Sequence, residues 1–198
     1  KRPIASGRMK IGEALAFSFL LLISSSVLAI LSNIIVFTAS YITLMLLYTF
    51  YLKKIPVIDS FTIATGFLLR AVSGCYAVDI EITPWFYLTI FFFALYLAFC
   101  KRLSELKVAE KAHKKVLSFY ENFAELGIAI SGSSSLAIYG IYAMLKDGLL
   151  IWSVPIAALG MLLHLRESIM GREVHESLTK PDVLLTLIAF VLVVLLSL

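Results

Sequence analysis

YTFYLKKIPVIDSFTIATGFLLR, residues Tyr48 to Arg70, joins the end of one apolar run to most of the next through a short basic turn. Tyr48, Lys53, Lys54 and Asp59 stand at the junction, and Arg70 lies deep inside the second run. Apolar runs separated by charged turns are the signature of a chain that crosses a bilayer repeatedly. A cation held in hydrocarbon is costly, so a membrane protein that keeps one pairs it or uses it. The junction is therefore a structural boundary and the first place to look for chemistry.

The same pattern extends in both directions. Hydrophobic residues make up 61% of the chain and the mean hydropathy is +0.96, beyond the roughly half-apolar composition of soluble domains. A span needs about 20 residues, and seven runs qualify with their flanks: Ala14–Leu31, Ile34–Tyr51, Phe61–Ala77, Ile82–Cys100, Phe123–Leu145, Leu149–Leu165 and Val183–Leu198. The fold class predicted is all-α, a polytopic transmembrane helix bundle. No Gly/Ser-rich linker interrupts it, so residues 1–198 read as one membrane domain.

Charge assigns the sides. Lys1, Arg2, Arg8 and Lys10 precede the first run, Lys53 and Lys54 follow the second, and Lys101, Arg102, Lys107, Lys111, Lys114 and Lys115 follow the fourth. Arg166, Arg172 and Lys180 follow the sixth, whereas the alternate connections are short or carry Asp79 and Glu81. The positive-inside rule then predicts a cytoplasmic N-terminus, cytoplasmic basic loops and an outside C-terminus in a cell membrane. The net charge of +4 reflects this topology and not nucleic-acid binding. Cys75 falls toward the outer end of the third helix and Cys100 at the inner end of the fourth, which argues against a disulfide. His113, His164 and His175 have no metal-ligand spacing, so no metal site is expected among them. The chain opens on Lys1 without a signal-peptide pattern, which predicts a native start further upstream.

Two connections are long, 101–122 and 166–182, and both fall on the predicted cytoplasmic side. Leu103, Leu106, Ala109/Glu110, His113 and Leu117 recur at helical steps, which predicts a helical segment over 101–120 that caps the mouth. Asp59, Thr62, Gly66, Arg70 and Ser73 form a polar, small-residue stripe on the third helix. That stripe lines a cavity, or serves as a packing face with Arg70 paired to a neighbouring helix. Lys53 and Lys54 either snorkel to the interface or hold a ligand, and Pro56 turns the chain so that they share a mouth with the stripe. Lys101, Arg102 and Glu105, one turn apart, are a solvated loop or point into that mouth. Arg166, Glu167, Arg172, Glu173 and Glu176 form a second mixed patch with the same two readings. Cations converging at one mouth suit phosphate or pyrophosphate. Ser131 to Ser135 lies within a span and reads as a close-packing segment.

These motifs resemble a known family. KRPIASG at the start is similar to the tail of the first conserved loop of the UbiA superfamily of intramembrane transferases, which follows an Asp-rich NDxxDxxxD element. YTFYLKKIPVIDSFTIATGFLLRAVSG, PWF at Pro84–Phe86 and CKRLSELK at Cys100–Lys107 resemble the decaprenyl-phosphate phosphoribosyltransferase branch, with its YSxxLKxxxxxD, GFxLRAxxG and KRxxEL elements. GREVHESLTKPDVLL is similar to that branch's late loop through Gly171, Glu173, Glu176 and Asp182. The resemblance covers essentially the whole chain. It departs twice: Glu105 and Glu110 stand where prenyl-transferring members carry a second DxxxD, and the Asp-rich motif is absent from the sequence as it stands.

The resemblance implies that seven helices here correspond to the last seven of a nine-helix fold, an N-terminally truncated piece. The implied reaction moves 5-phosphoribose from phosphoribosyl diphosphate to a polyprenyl phosphate and releases pyrophosphate. Magnesium is the implied cofactor, its main ligands expected in the absent Asp-rich motif. The implied substrate-binding residues are Arg2, Tyr48, Lys53, Lys101 and Arg102. Asp59, Arg70 and Glu105 are the implied catalytic residues, with Arg70 also on the phosphates. Asp59 and Glu105 hold the cations, take a ribose hydroxyl or bind metal in an outer position. Two other readings remain: a UbiA prenyltransferase acting on an aromatic or glycerol-phosphate acceptor, and a non-catalytic transporter or lipid-binding protein.

Overall fold

A computed structural model of the chain describes residues 7, 9–108, 115–146, 148–172 and 174–197. Every regular element among them is helical. The α-helices are α1 (Ile11–Leu31), α2 (Ile35–Phe50), α3 (Ile58–Ala77), α4 (Pro84–Val108), α5 (Lys115–Leu145), α6 (Ser153–Ile169), α7 (Val174–Leu178) and α8 (Pro181–Leu196). Two 3-10 turns, Leu52–Lys54 and Gly148–Trp152, lead into α3 and α6. The seven long helices fall on the seven apolar runs, and α7 is a single short turn of helix in the late loop.

Four segments are long and apolar enough to cross a bilayer: Ile11–Leu31, Pro84–Lys107, Phe123–Leu145 and Gly148–Ile169. α2 and α8 are shorter at 16 residues each, about 24 Å of rise against a hydrocarbon core of about 30 Å. α3 has length but carries Asp59 and Arg70. This is a multi-pass membrane protein, and its many exposed Leu, Ile and Phe side chains are the lipid-facing surface such a bundle needs.

The helical expectation over 101–120 is corrected in form. No separate capping helix stands over the mouth among the described residues. Instead α4 runs on through Lys101 and Arg102 to Val108, and α5 begins at Lys115. Leu103 is buried and Leu106 packs on the core, so the periodicity belongs to extensions of the membrane helices themselves. Ala109, Glu110 and His113 lie outside the described residues.

α4 is the central element. It packs most extensively on α5 and then on α3, while α6 pairs with α8 and α2 with α3. The core gathers Ala64 from α3, Tyr96, Phe99, Cys100 and Leu103 from α4, and Tyr120, Ala124 and Ile128 from α5. The α4–α5 seam is close because Gly127 faces Phe99: a Cβ on Gly127 would stand 2.7 Å from that ring. Because consecutive long helices alternate direction, the start of α3, the end of α4, the start of α5, the end of α6 and the start of α8 share one end of the bundle. That shared end carries most of the charge.

Candidate functional site

The site is built where α2 turns into α3. After the 3-10 turn that carries Lys53 and Lys54, both exposed, Pro56 reverses the chain. The reversal closes as a γ-turn, in which Ile58 N–H donates to the Pro56 carbonyl at 2.8 Å across Val57 at φ +68° and ψ −49°. This is the rare, strained form of the turn, and a β-branched residue seldom adopts it. Such conformations persist only where the surroundings hold them, and they gather at functional sites.

What holds this one is Tyr120, in the first turns of α5. Its hydroxyl oxygen accepts the Val57 N–H at 2.8 Å and stands 3.1 Å from Ser60 Oγ. Its proton goes to Asp59 Oδ1 in a short hydrogen bond. The Tyr120 ring is fully buried, edge-on to Phe99 and Phe119. Tyr120 lies just below the span Phe123–Leu145. Burial first, and the bond to the Asp59 carboxylate second, push its phenol up to about 12.

Asp59 is 0% exposed in the first turn of α3, where the helix N-terminus favours a carboxylate. Besides Tyr120, its Oδ1 accepts the Ser60 N–H at 2.7 Å. Its Oδ2 faces Arg102 of α4, whose Nη2 is 2.9 Å away. Arg102 Nη1 donates to Glu105 Oε2 at 2.6 Å, one turn along the same helix. A single guanidinium therefore lies between two carboxylates, and Tyr48, half-buried at the end of α2, is an electrostatic neighbour of it. Lys101 is exposed on the adjacent position of α4.

The predicted residues thus separate. Asp59, Arg102 and Glu105 are in contact, with Tyr48 beside them and Lys53 and Lys101 at the same end of the bundle. Arg2 lies outside the described residues. Arg70 goes elsewhere: it stands 11 residues beyond Asp59, about 16 Å along the helix. Its Nη1 donates to Tyr41 Oη at 2.7 Å, and its guanidinium packs over the rings of Tyr41 at 5.1 Å and Phe67 at 4.4 Å, a cation–π arrangement.

The cavity reading of the α3 stripe gives way to its packing alternative. Thr62 Oγ1 turns back to the Ile58 carbonyl, and Gly66 lies so close to Met45 of α2 that a Cβ would stand 3.1 Å from it. Ser73 bonds the Arg70 carbonyl of its own helix. A cavity of about 500 Å³ lies elsewhere, walled by α4, α5, α6 and α8 through Phe93, Tyr96, Leu136, Met161, Leu187 and Phe190.

The second mixed patch closes into its own network. Glu167, 1% exposed, accepts from Arg166 Nη2 at 2.8 Å and from Arg172, and Arg166 also reaches Asp182 Oδ2 at 2.5 Å. It pins the end of α6 to the start of α8. Glu173 lies outside the described residues.

Tyr120 is the residue that sequence reasoning missed. It stands 61 positions from Asp59, and nothing in the chain around it separates it from the other aromatics.

A model of the UbiA prenyltransferase family matches residues 1–177. The chain belongs to the UbiA prenyltransferase family. Within that family it is similar to the decaprenyl-phosphate phosphoribosyltransferase of Mycolicibacterium smegmatis, 33% identical over 152 residues, 74% of this chain and 48% of that protein. The protein of that name from Corynebacterium glutamicum is 36% identical over 126 residues, 62% of this chain and 38% of its own length. The one from Mycobacterium tuberculosis is 28% identical over 155 residues, 74% of this chain and 51% of its own length. The chain therefore spans about half the length of these UbiA relatives.

Proposed function

We propose that this UbiA chain belongs to an enzyme that transfers 5-phosphoribose from phosphoribosyl diphosphate to a polyprenyl phosphate, releasing pyrophosphate. The observation that carries the reading is Arg102, a guanidinium at a mouth bearing Lys53 and Lys101, in a chain whose relatives are named for phosphoribosyl transfer. As the sugar–oxygen bond breaks, negative charge grows on the departing pyrophosphate and positive character on the sugar carbon. A fixed guanidinium stabilises that leaving group better than water does, because it needs no reorganisation as the bond breaks. Arg102 suits the role, since its planar fork matches two phosphate oxygens. Lys53 and Lys101 supply the longer-range attraction, and Tyr48 orients the bound anion. Arg2 belongs to the same group of binding residues by sequence, and Arg70 would act there only through a ligand long enough to reach it.

Members of the family generally depend on magnesium, which as a bound cation would neutralise the diphosphate. The carboxylates described here do not make its site. Asp59 and Glu105 both face Arg102, so a dication between them would meet a guanidinium, and among the described residues no three His, Cys, Asp or Glu side chains cluster.

The basic connections favour a mouth on the cytoplasmic face of the cell membrane by the positive-inside rule, and in this reading the lipid tail reaches it laterally between helices. The 198 residues form one membrane domain of the enzyme. The test is transfer itself: the whole protein in lipid nanodiscs, given labelled phosphoribosyl diphosphate and polyprenyl phosphate, should yield a labelled lipid and free pyrophosphate. Label transferred from an isoprenyl diphosphate instead would reassign the chain to prenyl transfer.

A further inference from the structure

The two carboxylates on Arg102 differ in how they are held. Asp59 is wholly buried, and its Oδ1 accepts both the Ser60 N–H and the Tyr120 hydroxyl, which is itself tied to the Val57 turn. Moving it would break that set of bonds inside a packed core. The Glu105 side chain is 33% exposed, and among the described residues its ion partner is Arg102, one turn back on the same helix. Water reaches the Glu105 side of this part-buried pair and can replace it there, whereas it cannot reach the Asp59 side.

The guanidinium is also incompletely used. Arg102 Nε and Asp59 Oδ2 are both buried, and among the described residues neither has an aligned hydrogen-bond partner, although Nη2 and Oδ2 are within ion-pair distance. Buried polar atoms left in this way point to a partner not yet in place. Two carboxylates around one guanidinium leave an excess negative charge, which repels an arriving phosphate as long as both remain.

We propose that Glu105 occupies the place on Arg102 that a phosphate group of the substrate takes, and that binding exchanges Glu105 for phosphate while Asp59 stays. This rests on the anionic donor assigned under the proposed function. Glu105 is then a placeholder that keeps the guanidinium satisfied and oriented between turnovers. When phosphate arrives, the Glu105 carboxylate rotates into water, Arg102 turns its freed N–H groups to the phosphate oxygens, and Asp59 remains as the fixed anchor behind it.

The sign of the effect separates this role from that of a residue that helps bind the donor. Glu105→Gln removes the competing charge and should tighten binding. Inorganic pyrophosphate is the probe, titrated into the whole protein in lipid nanodiscs without added donor. Its affinity should rise in Glu105→Gln by about two- to fivefold, the factor that release of a weak, water-accessible ion pair corresponds to. Glu105→Ala should change it in the same direction, and the KM for phosphoribosyl diphosphate should fall in parallel. Adding Arg102→Gln should erase the gain. Unchanged or weakened pyrophosphate binding in both Glu105 variants overturns the exchange, as does a gain that survives without Arg102. Either result leaves phosphoribosyl transfer by the unaltered protein as a separate matter. Tightened binding in an enzyme that moves no phosphoribose would keep the exchange and discard the assigned reaction.

Discussion

Tyr120 and Arg70 show how one side chain's surroundings set its consequences. Tyr120 binds as a neutral phenol, its proton on Asp59 and its oxygen on the Val57 N–H. With its phenol pushed up to about 12 from an ordinary value of about 10, the folded protein keeps a proton over a range where the unfolded chain has lost it. That contribution to stability is whole below pH 10 and is lost as pH climbs from about 10 through about 12. Thermal unfolding in detergent should show a decline over that window, and Tyr120→Phe should flatten it. The same variant leaves the Val57 N–H and one Asp59 oxygen short of a partner, which should cost about 1–3 kcal/mol at neutral pH. A variant as stable as the parent would mean that the turn does not depend on the hydroxyl. For Arg70, held by Tyr41 and Phe67, Arg70→Ala should lower the melting temperature and leave pyrophosphate affinity in place. Loss of that affinity would return Arg70 to the binding mouth.

At the scale of the helix, the α4–α5 seam fixes the angle from which Arg102 and Tyr120 approach Asp59. Gly127 lets the Phe99 ring lie against the α5 backbone, and a Cβ there would stand 2.7 Å from it. Because the ring is buried among Tyr120, Phe123 and Ala124 in the core, it has little room to yield. Gly127→Ala should therefore destabilise by about 1–3 kcal/mol through overpacking, outweighing the gain in helix propensity of roughly 1 kcal/mol. Thermal unfolding checks the sign, and a stabilised variant would show that α4 and α5 can separate freely. The seam also explains the 101–120 region. Its three- and four-residue periodicity was legible as helix, but the same period describes a separate amphipathic cap and an extension of a membrane helix. The burial of Leu103 against α5 selects the extension.

Across the whole molecule, the order of the helices brings the end of α2, the starts of α3, α5 and α8 and the ends of α4 and α6 to one side, so residues far apart in sequence meet there. Asp59 with Arg102, and Glu167 with Arg166, Arg172 and Asp182, close two ion networks on that side. The sequence showed Lys101, Arg102 and Glu105 as one patch and Arg166, Glu167 and Arg172 within another, but not that Asp59 and Asp182 would join them. The seven apolar runs, the alternation of basic and acidic connections and the family motifs follow from the sequence by itself, because transfer from water to lipid is a sum over neighbouring residues. Which polar groups touch is another kind of quantity. It depends on how each helix is rotated about its axis and how closely its neighbours approach, and both are set by distant contacts such as Gly127 on Phe99. Tertiary packing alone therefore decided that Arg102 joins Asp59, that Tyr120 stands behind them, and that Arg70 turns away to Tyr41.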